Sequence, residues 1–354
     1  MTSRRRLLQS GAALGAAGLA GCFGLLETRS ANRPPLVEDR PDAVYVPSHV
    51  DGMVTKGTTT AGDVAFAVTY STPHRFWTVT GTEATETPAE DDDEMHLMAV
   101  VWDPETETVL PETGLSIELT QDGDLVAEEV VYPMLSQRMG FHYGDNFGVP
   151  GDGTYTANLD VSALPIRRTG AFQGRFDGAE SAAIEFEFSE AERSDIEYRK
   201  IPEDRRGDRG AVDPMQMEML PDSTAPRPQD LPGNVVGEAE SGDAVFVATL
   251  LESPPAGLDG SGRYLAVSAR TPHTRSILPM MGLSATVSGG GTTRFDGMLN
   301  RTLDPDLDYH YGAVVGEATA GDEIRIEVTT PPQVARHEGY ETAFLDMDPM
   351  TLTV

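Results

Sequence analysis

The chain has 354 residues, a length that suits two domains of ordinary size. It carries 26 Lys+Arg against 57 Asp+Glu, a formal charge of −31, and only Lys56 and Lys200 are lysines. That balance argues against nucleic acid or an anionic surface as partner. It is the composition with which a halophile stays hydrated in molar salt, where the Debye length is about 3 Å and self-repulsion is screened.

In chain order, residues 1–22 read as an address rather than as fold. Arg4, Arg5 and Arg6 precede Leu7-Leu8, and an Ala/Gly-rich apolar run ends at Leu-Ala-Gly-Cys22. The run is too short to span a membrane. The arginines resemble a twin-arginine export signal and the last four residues a lipoprotein cleavage box, so Cys22 is the expected lipidation site. Cys22 is also the single cysteine, which leaves no disulfide and no thiolate site in the rest of the chain. Residues 23–42, rich in Pro, Arg and Asp, read as a tether.

From residue 43 the pattern is β. The segments DVAFAVTY, LSIELTQDG, GTYTANLDV and AAIEFEFS alternate apolar and polar residues and are separated by Gly, Pro and Asp. AVFVATLL, YLAVSAR, EIRIEVTT and MTLTV repeat this from residue 244 onward. The expected fold is all-β: two tandem immunoglobulin-like β-sandwich domains, at 43–192 and 228–354. The charged, turn-rich stretch 193–227 reads as the linker, with a short helical start.

The two halves are copies. His142 and His310, each in His-Tyr-Gly, lie 168 residues apart, as do Pro104 and Pro272, Gly114-Leu-Ser116 and Gly282-Leu-Ser284, Arg168 and Arg336, and Phe176 and Phe344. Upstream, Gly62-Asp63 and Phe66 match Gly242-Asp243 and Phe246 at 180 residues. The first copy therefore carries twelve extra residues, placed around TEATETPAEDDDE.

No hydrolase elbow, zinc-protease helix or phosphate loop occurs, and no acid–base constellation supports an enzyme. Histidine with methionine is the notable chemistry. His96 and Met98 lie two apart on one strand, hence on one face. Met134, Met139 and His142 follow in YPMLSQRMGFHYG. Imidazole suits iron, copper and zinc, and thioether sulfur favours Cu(I). Core packing is the competing reading for each of these methionines. It applies equally to Met215, Met217 and Met219 in the linker, which are spaced to collect Cu(I) or to pack on a domain. The acidic run Glu90–Glu94 beside His96 reads as a solvated loop.

The grouping MHLMAVVWD, PMLSQRMGFHYGDN, GTYTANLDV and Arg-Arg/Arg-His before a late strand resembles the periplasmic iron-transport lipoprotein family, also called the pathogen-specific membrane antigen family. The resemblance covers 43–192 well and 228–354 more weakly. It implies an immunoglobulin-like sandwich that binds a copper or iron ion, tends to dimerise, and works beside a membrane iron permease. It also implies a metal set of His96, Met134 and His142, with Met139 as the alternative to Met134.

Two departures matter. Met98 stands where the family has Glu, which softens the site toward Cu(I). The late histidine is missing from the first copy (Arg167-Arg168-Thr169) but present in the second as His337. The second copy keeps His310, yet has Tyr264, Ala266 and Thr302 in place of His96, Met98 and Met134. The expectation is an intramolecular pseudo-dimer in which the second copy supplies His337 to the first; the alternative is that His337 and His310 are relics. Two functions stay open: a lipid-anchored, metal-binding surface lipoprotein serving iron uptake, and a structural or protein-binding surface lipoprotein without metal.

Overall fold

The computed structural model describes residues 36–354 apart from residue 218; the export signal, Cys22 and the start of the tether lie outside the described residues. The first half contributes β1 (His49–Asp51), β2 (Val54–Ala61), β3 (Val64–Ser71), β4 (Phe76–Thr80), β5 (Glu83–Thr87), β6 (Met95–Trp102), β7 (Ser116–Gln121), β8 (Asp124–Val130), β9 (Tyr132–Ser136), β10 (Gly140–Phe147), β11 (Gly153–Val161), β12 (Arg167–Arg168) and β13 (Glu180–Phe188). A short helix, α1 (Glu190–Asp195), and β14 (Tyr198–Lys200) follow. The second half contributes β15 (Asn234–Ser241), β16 (Ala244–Leu251), β17 (Arg263–Arg270), β18 (Gly282–Gly289), β19 (Thr292–Asp304), β20 (Asp308–Gly316), β21 (Glu323–Thr330), β22 (Ala335–Arg336) and β23 (Met350–Thr353). No helix among the described residues is long and apolar enough to cross a membrane.

The architecture is the all-β sandwich that the alternation predicts. In the first half a sheet ordered β2-β3-β6-β10-β9-β22-β4-β5 faces a sheet ordered β13-β11-β7-β8. The second sheet buries alternate residues: Ile117 and Leu119, then Tyr155, Ala157, Leu159 and Val161, then Ile184, Phe186 and Phe188. The Ile, Leu, Val and Phe side chains among them each contribute about 1.5–3 kcal/mol by leaving water. By contrast β3 and β6 are buried at every position, as expected of strands covered on both faces.

In the second half β19 is one long strand. Thr292–Leu299 pair with β18, and Asn300–Asp304 pair with β20. The corresponding stretch of the first half is broken between β8 and β9 at Val131. The twelve extra residues of the first half fall where the β4–β5 hairpin stands, between β3 and β6.

The halves are joined by a reciprocal exchange of short strands. β22, from the second half, enters the first sheet between β9 and β4, with Ala335 opposite Met134, Arg336 opposite Leu135, and Arg336 opposite Trp77 on the other side. β12, from the first half, pairs with β19, placing Arg167 opposite Thr302 and Arg168 opposite Leu303. These two pairings are the same contact repeated at a spacing of 168 residues. Both halves also share one continuous hydrophobic core and belong to one compact unit.

The stretch read as a linker is packed as well. β14 pairs with β1, and Thr224 bridges to Ser276.

Candidate metal centre

Strand register determines which side chains meet. On β6 and β10, His96 lies opposite Asn146 and Met98 opposite Gly144. On β10 and β9, His142 lies opposite Met134. Directly opposed residues share a sheet face, so His96, Met98, Met134, His142, Gly144 and Asn146 all point the same way. Phe141 and Tyr143 point into the sandwich core.

β22 then delivers a residue from the other half. Arg336 is fully buried, and its guanidinium donates to the carbonyls of Pro332, Tyr340, Ala343 and Phe344, pinning the loop that follows. His337, next in sequence, donates its backbone N–H to Leu135 O at 3.1 Å and stands over the same face.

A fourth imidazole joins the three. His74 lies just after β3, whose last residue Ser71 is opposite His96. Ring centroids are 4.1 Å apart for His74–His96, 4.8 Å for His74–His337, 5.3 Å for His96–His337 and 5.2 Å for His142–His337. Ligand nitrogens of His74, His96 and His337 all lie within 4.8 Å of one another. Sequence reading missed His74. It falls beside the inserted hairpin, has no counterpart in the second half, and carries no motif; its being one of only seven histidines was the available signal.

The proton positions follow from the partners. His142 Nδ1 is 3.0 Å from Gly140 O, and His74 Nδ1 is 2.9 Å from Thr72 O. A carbonyl only accepts, so both Nδ1 atoms carry a proton. Asn146 Nδ2 donates to His74 O at 2.9 Å, which turns Asn146 Oδ1 toward His96 Nδ1, also at 2.9 Å. His96 therefore donates through Nδ1 as well. Burial holds all four imidazoles below the ordinary histidine range, with neighbouring imidazoles adding to it, and His142 is brought down to about 4. All four rings are thus neutral near pH 7.

The consequence is a set of exposed lone pairs in a buried place. Nε2 of His96, His142 and His337 is each buried and has no hydrogen-bond partner among the described residues. Buried polar atoms of this kind are rare and call for a partner. A neutral imidazole whose Nδ1–H is held by an outer acceptor is how metal-ligating histidine is normally presented. Nitrogens about 2.1 Å from one tetrahedral ion lie roughly 3.4 Å apart; the grouped nitrogens of His74, His96 and His337 are within 4.8 Å of one another, and the His142 ring lies 5.2 Å from that of His337.

Gly144 leaves the room for it. A Cβ there would sit 3.1 Å from His96 Nε2 and 3.3 Å from Met98 Cγ. The residues present therefore fit a transition-metal ion held by three imidazoles, with Met98 alongside. The opening above the cluster is lined by His49, Asp51, Met53, His74, Met98 and His337.

The second half supplies an internal comparison. His310 repeats the geometry of His142, with Nδ1 2.9 Å from Asp308 O. Its Nε2, however, is 3.0 Å from the hydroxyl of Tyr264, the residue that replaces His96. A Cβ on Gly312, the counterpart of Gly144, would lie 1.9 Å from that hydroxyl. The tyrosine fills the space that is open in the first half and supplies the missing donor. Thr169, the counterpart of His337, is tied to Asp304 at 2.6 Å.

The remaining sequence candidates are dispersed. Met134 packs with Phe76 and Ala335. Met139 sits in the shared core, its N–H bonded to Ser136 Oγ. In the linker Met215 N–H donates to Arg138 O, Met217 packs partly against the core, and Met219 is largely exposed. The three linker thioethers therefore do not share one environment.

Fold and site together define an all-β sandwich protein with a neutral histidine cluster, buried at His96 and His142 and half-buried at His74 and His337, assembled from both of its halves. A family model described as a domain of unknown function (DUF7350) matches residues 48–187 and 229–353, and the chain belongs to that family. Among curated proteins no match was found. Two solved structures are similar in part. One is FetP of uropathogenic Escherichia coli strain F11, as isolated after expression in the periplasm, at 19% identity and a TM-score of 0.30, over 39% of this chain and 96% of that one. The other is a copper-bound glutamate-to-glutamine variant of the same protein, at 17% identity and 0.31, over 38% and 92%.

Proposed function

We propose that the protein is a lipid-anchored, extracytoplasmic metal-binding protein that holds one copper or iron ion in support of iron uptake by a membrane permease. The metal assignment is carried by the three buried Nε2 atoms of His96, His142 and His337, each lacking a donor while its Nδ1 side is held. Such an ion would supply a one-electron couple. The chain's own part is to present three neutral nitrogens, to keep the site buried, and to leave space at Gly144. In this reading the protein serves the permease as a carrier or as an oxidation-state partner. The iron-uptake role rests on the motif resemblance, and the anchor rests on Arg4–Arg6 and Leu-Ala-Gly-Cys22.

The metal part is tested by metal analysis and by titration of Cu(I), Cu(II), Fe(II) and Zn(II) against the demetallated chain. We expect one ion per chain, and none in His96→Ala/His142→Ala. Equal stoichiometry in both proteins would return these residues to core packing. The anchor is tested by Cys22→Ser, which should release the protein or leave it unprocessed. Unchanged mass and membrane association would refute it.

A further inference from the structure

His74 is the one imidazole of the four that does not present an orphaned nitrogen. Its Nδ1–H is committed to Thr72 O at 2.9 Å, which leaves Nε2 as a lone pair. That Nε2 lies 3.0 Å from His337 Nδ1. Two lone pairs do not face each other at hydrogen-bond distance, so the proton between them belongs to His337. His337 then donates through Nδ1 and directs its bare Nε2 into the cluster, in agreement with that atom's having no partner. The chain Thr72 O, His74, His337 is therefore ordered from one end by a backbone carbonyl.

We propose that His74 is a positioning residue: it accepts the Nδ1–H of His337 and thereby fixes the tautomer and ring orientation with which the second half's histidine enters the first half's site. The other two nitrogen donors have local anchors, Gly140 O for His142 and Asn146 Oδ1 for His96. His337 arrives just after a two-residue strand from the other half, and the partner of its Nδ1 among the described residues is His74 Nε2. His74 supplies what that strand does not bring. Asn146 ties the arrangement together, since it accepts from His96 and donates to the backbone carbonyl of His74. The turn between β3 and β4 of the first half thus carries the anchor for a residue donated by the second.

This inference rests on the metal reading for its consequence but not for its geometry, and the test separates the two. The full chain is labelled with ¹⁵N-histidine and its ring tautomers are read by NMR, first without metal. We expect the Nδ1–H form for His337 in the wild type and in His74→Gln, whose amide oxygen can accept the same proton. In His74→Ala we expect a mixture of tautomers. Zn(II) is then titrated as the probe. Outer-sphere partners of this kind are worth about 10–100-fold in affinity, so His74→Ala should bind that much more weakly and His74→Gln should recover most of the loss. The nitrogens that shift on Zn(II) addition should be Nε2 of His96, His142 and His337 in all three proteins. A metal-free His337 in the Nε2–H form would overturn the inference. So would a His74 Nε2 that shifts as a ligand, or an unchanged affinity in a folded His74→Ala. If the wild type takes up no Zn(II), the metal reading fails, and the tautomer of His337 alone decides whether His74 orders it.

Discussion

Burial of the cluster predicts a metal site that tolerates acid as long as the chain stays folded. Imidazoles with an ordinary pKa of 6.5 would be only about 3% neutral at pH 5, so three of them would weaken metal binding on the order of 10⁴-fold between neutral pH and pH 5. In this protein desolvation brings His142 to about 4 and holds His96 and His337 below the usual range. At pH 5 a group with a pKa near 4 is still about nine-tenths neutral. The expected loss of Zn(II) affinity between pH 7 and pH 5 is therefore far smaller than that, since His142 stays mostly neutral and His96 and His337 are held low by the same burial. The opposing effect is on stability. The folded pKa lies below the unfolded one, so the unfolded chain takes up protons first as the pH falls. Stability is complete above about 6.5 and declines until the folded group titrates. For His142 alone that decline is roughly 3 kcal/mol at 1.36 kcal/mol per pKa step, and His310, also near 4, adds a similar amount. Metal release in acid should thus accompany unfolding. Equilibrium dialysis with Zn(II) at pH 7, 6 and 5, with near-ultraviolet circular dichroism on the same samples, makes the measurement. A tenfold or greater loss of affinity per pH unit in a chain that remains folded would refute the reasoning.

Other predictions follow from the strand exchange and from the two copies. Residues 43–192 expressed alone lose β22, which separates β9 from β4 and leaves both with open edges. We expect self-association by light scattering and Zn(II) binding weaker by more than about 100-fold, a larger loss than outer-sphere changes give, and His337→Ala in the full chain should match that loss of affinity. A monomeric fragment with full affinity would exclude a contribution from the second half. Gly144→Ala puts a methyl 3.1 Å from His96 Nε2 and should lower Zn(II) affinity by about tenfold or more through crowding; unchanged affinity would move the ion away from Gly144. Tyr264→Phe removes the partner of His310 Nε2, and leaving that nitrogen unpaired should cost about 1–3 kcal/mol in urea unfolding. An unchanged midpoint would mean that the hydroxyl does not close the second copy's site.

The all-β class was legible because strand alternation is local. Tyr155, Ala157, Leu159 and Val161 are apolar at every second position because every second side chain of β11 enters the core. The duplication was legible too, since matching residues keep one spacing over most of the chain. So was the shared face of His96 and Met98, which follows from a period of two within one strand. What sequence could not show is which distant backbone completes a sheet. β22 and β12 are two residues long, and no periodicity can be read from two residues. Their place is set by hydrogen bonds to β9 and β19 and by the Arg336 guanidinium gathering four carbonyls of its own loop. His74 was hidden for the same reason, because its role depends on a nitrogen 263 residues away in sequence and 3.0 Å away in space. The contrast between His142 and His310 was equally out of reach. Both stand in His-Tyr-Gly with Nδ1 on a backbone carbonyl, and only a tyrosine hydroxyl reaching Nε2 in one copy separates them. Local pattern determines strands because burial is periodic along a chain; the site is decided by tertiary structure, because a lone pair is satisfied or left open by atoms that sequence distance does not rank.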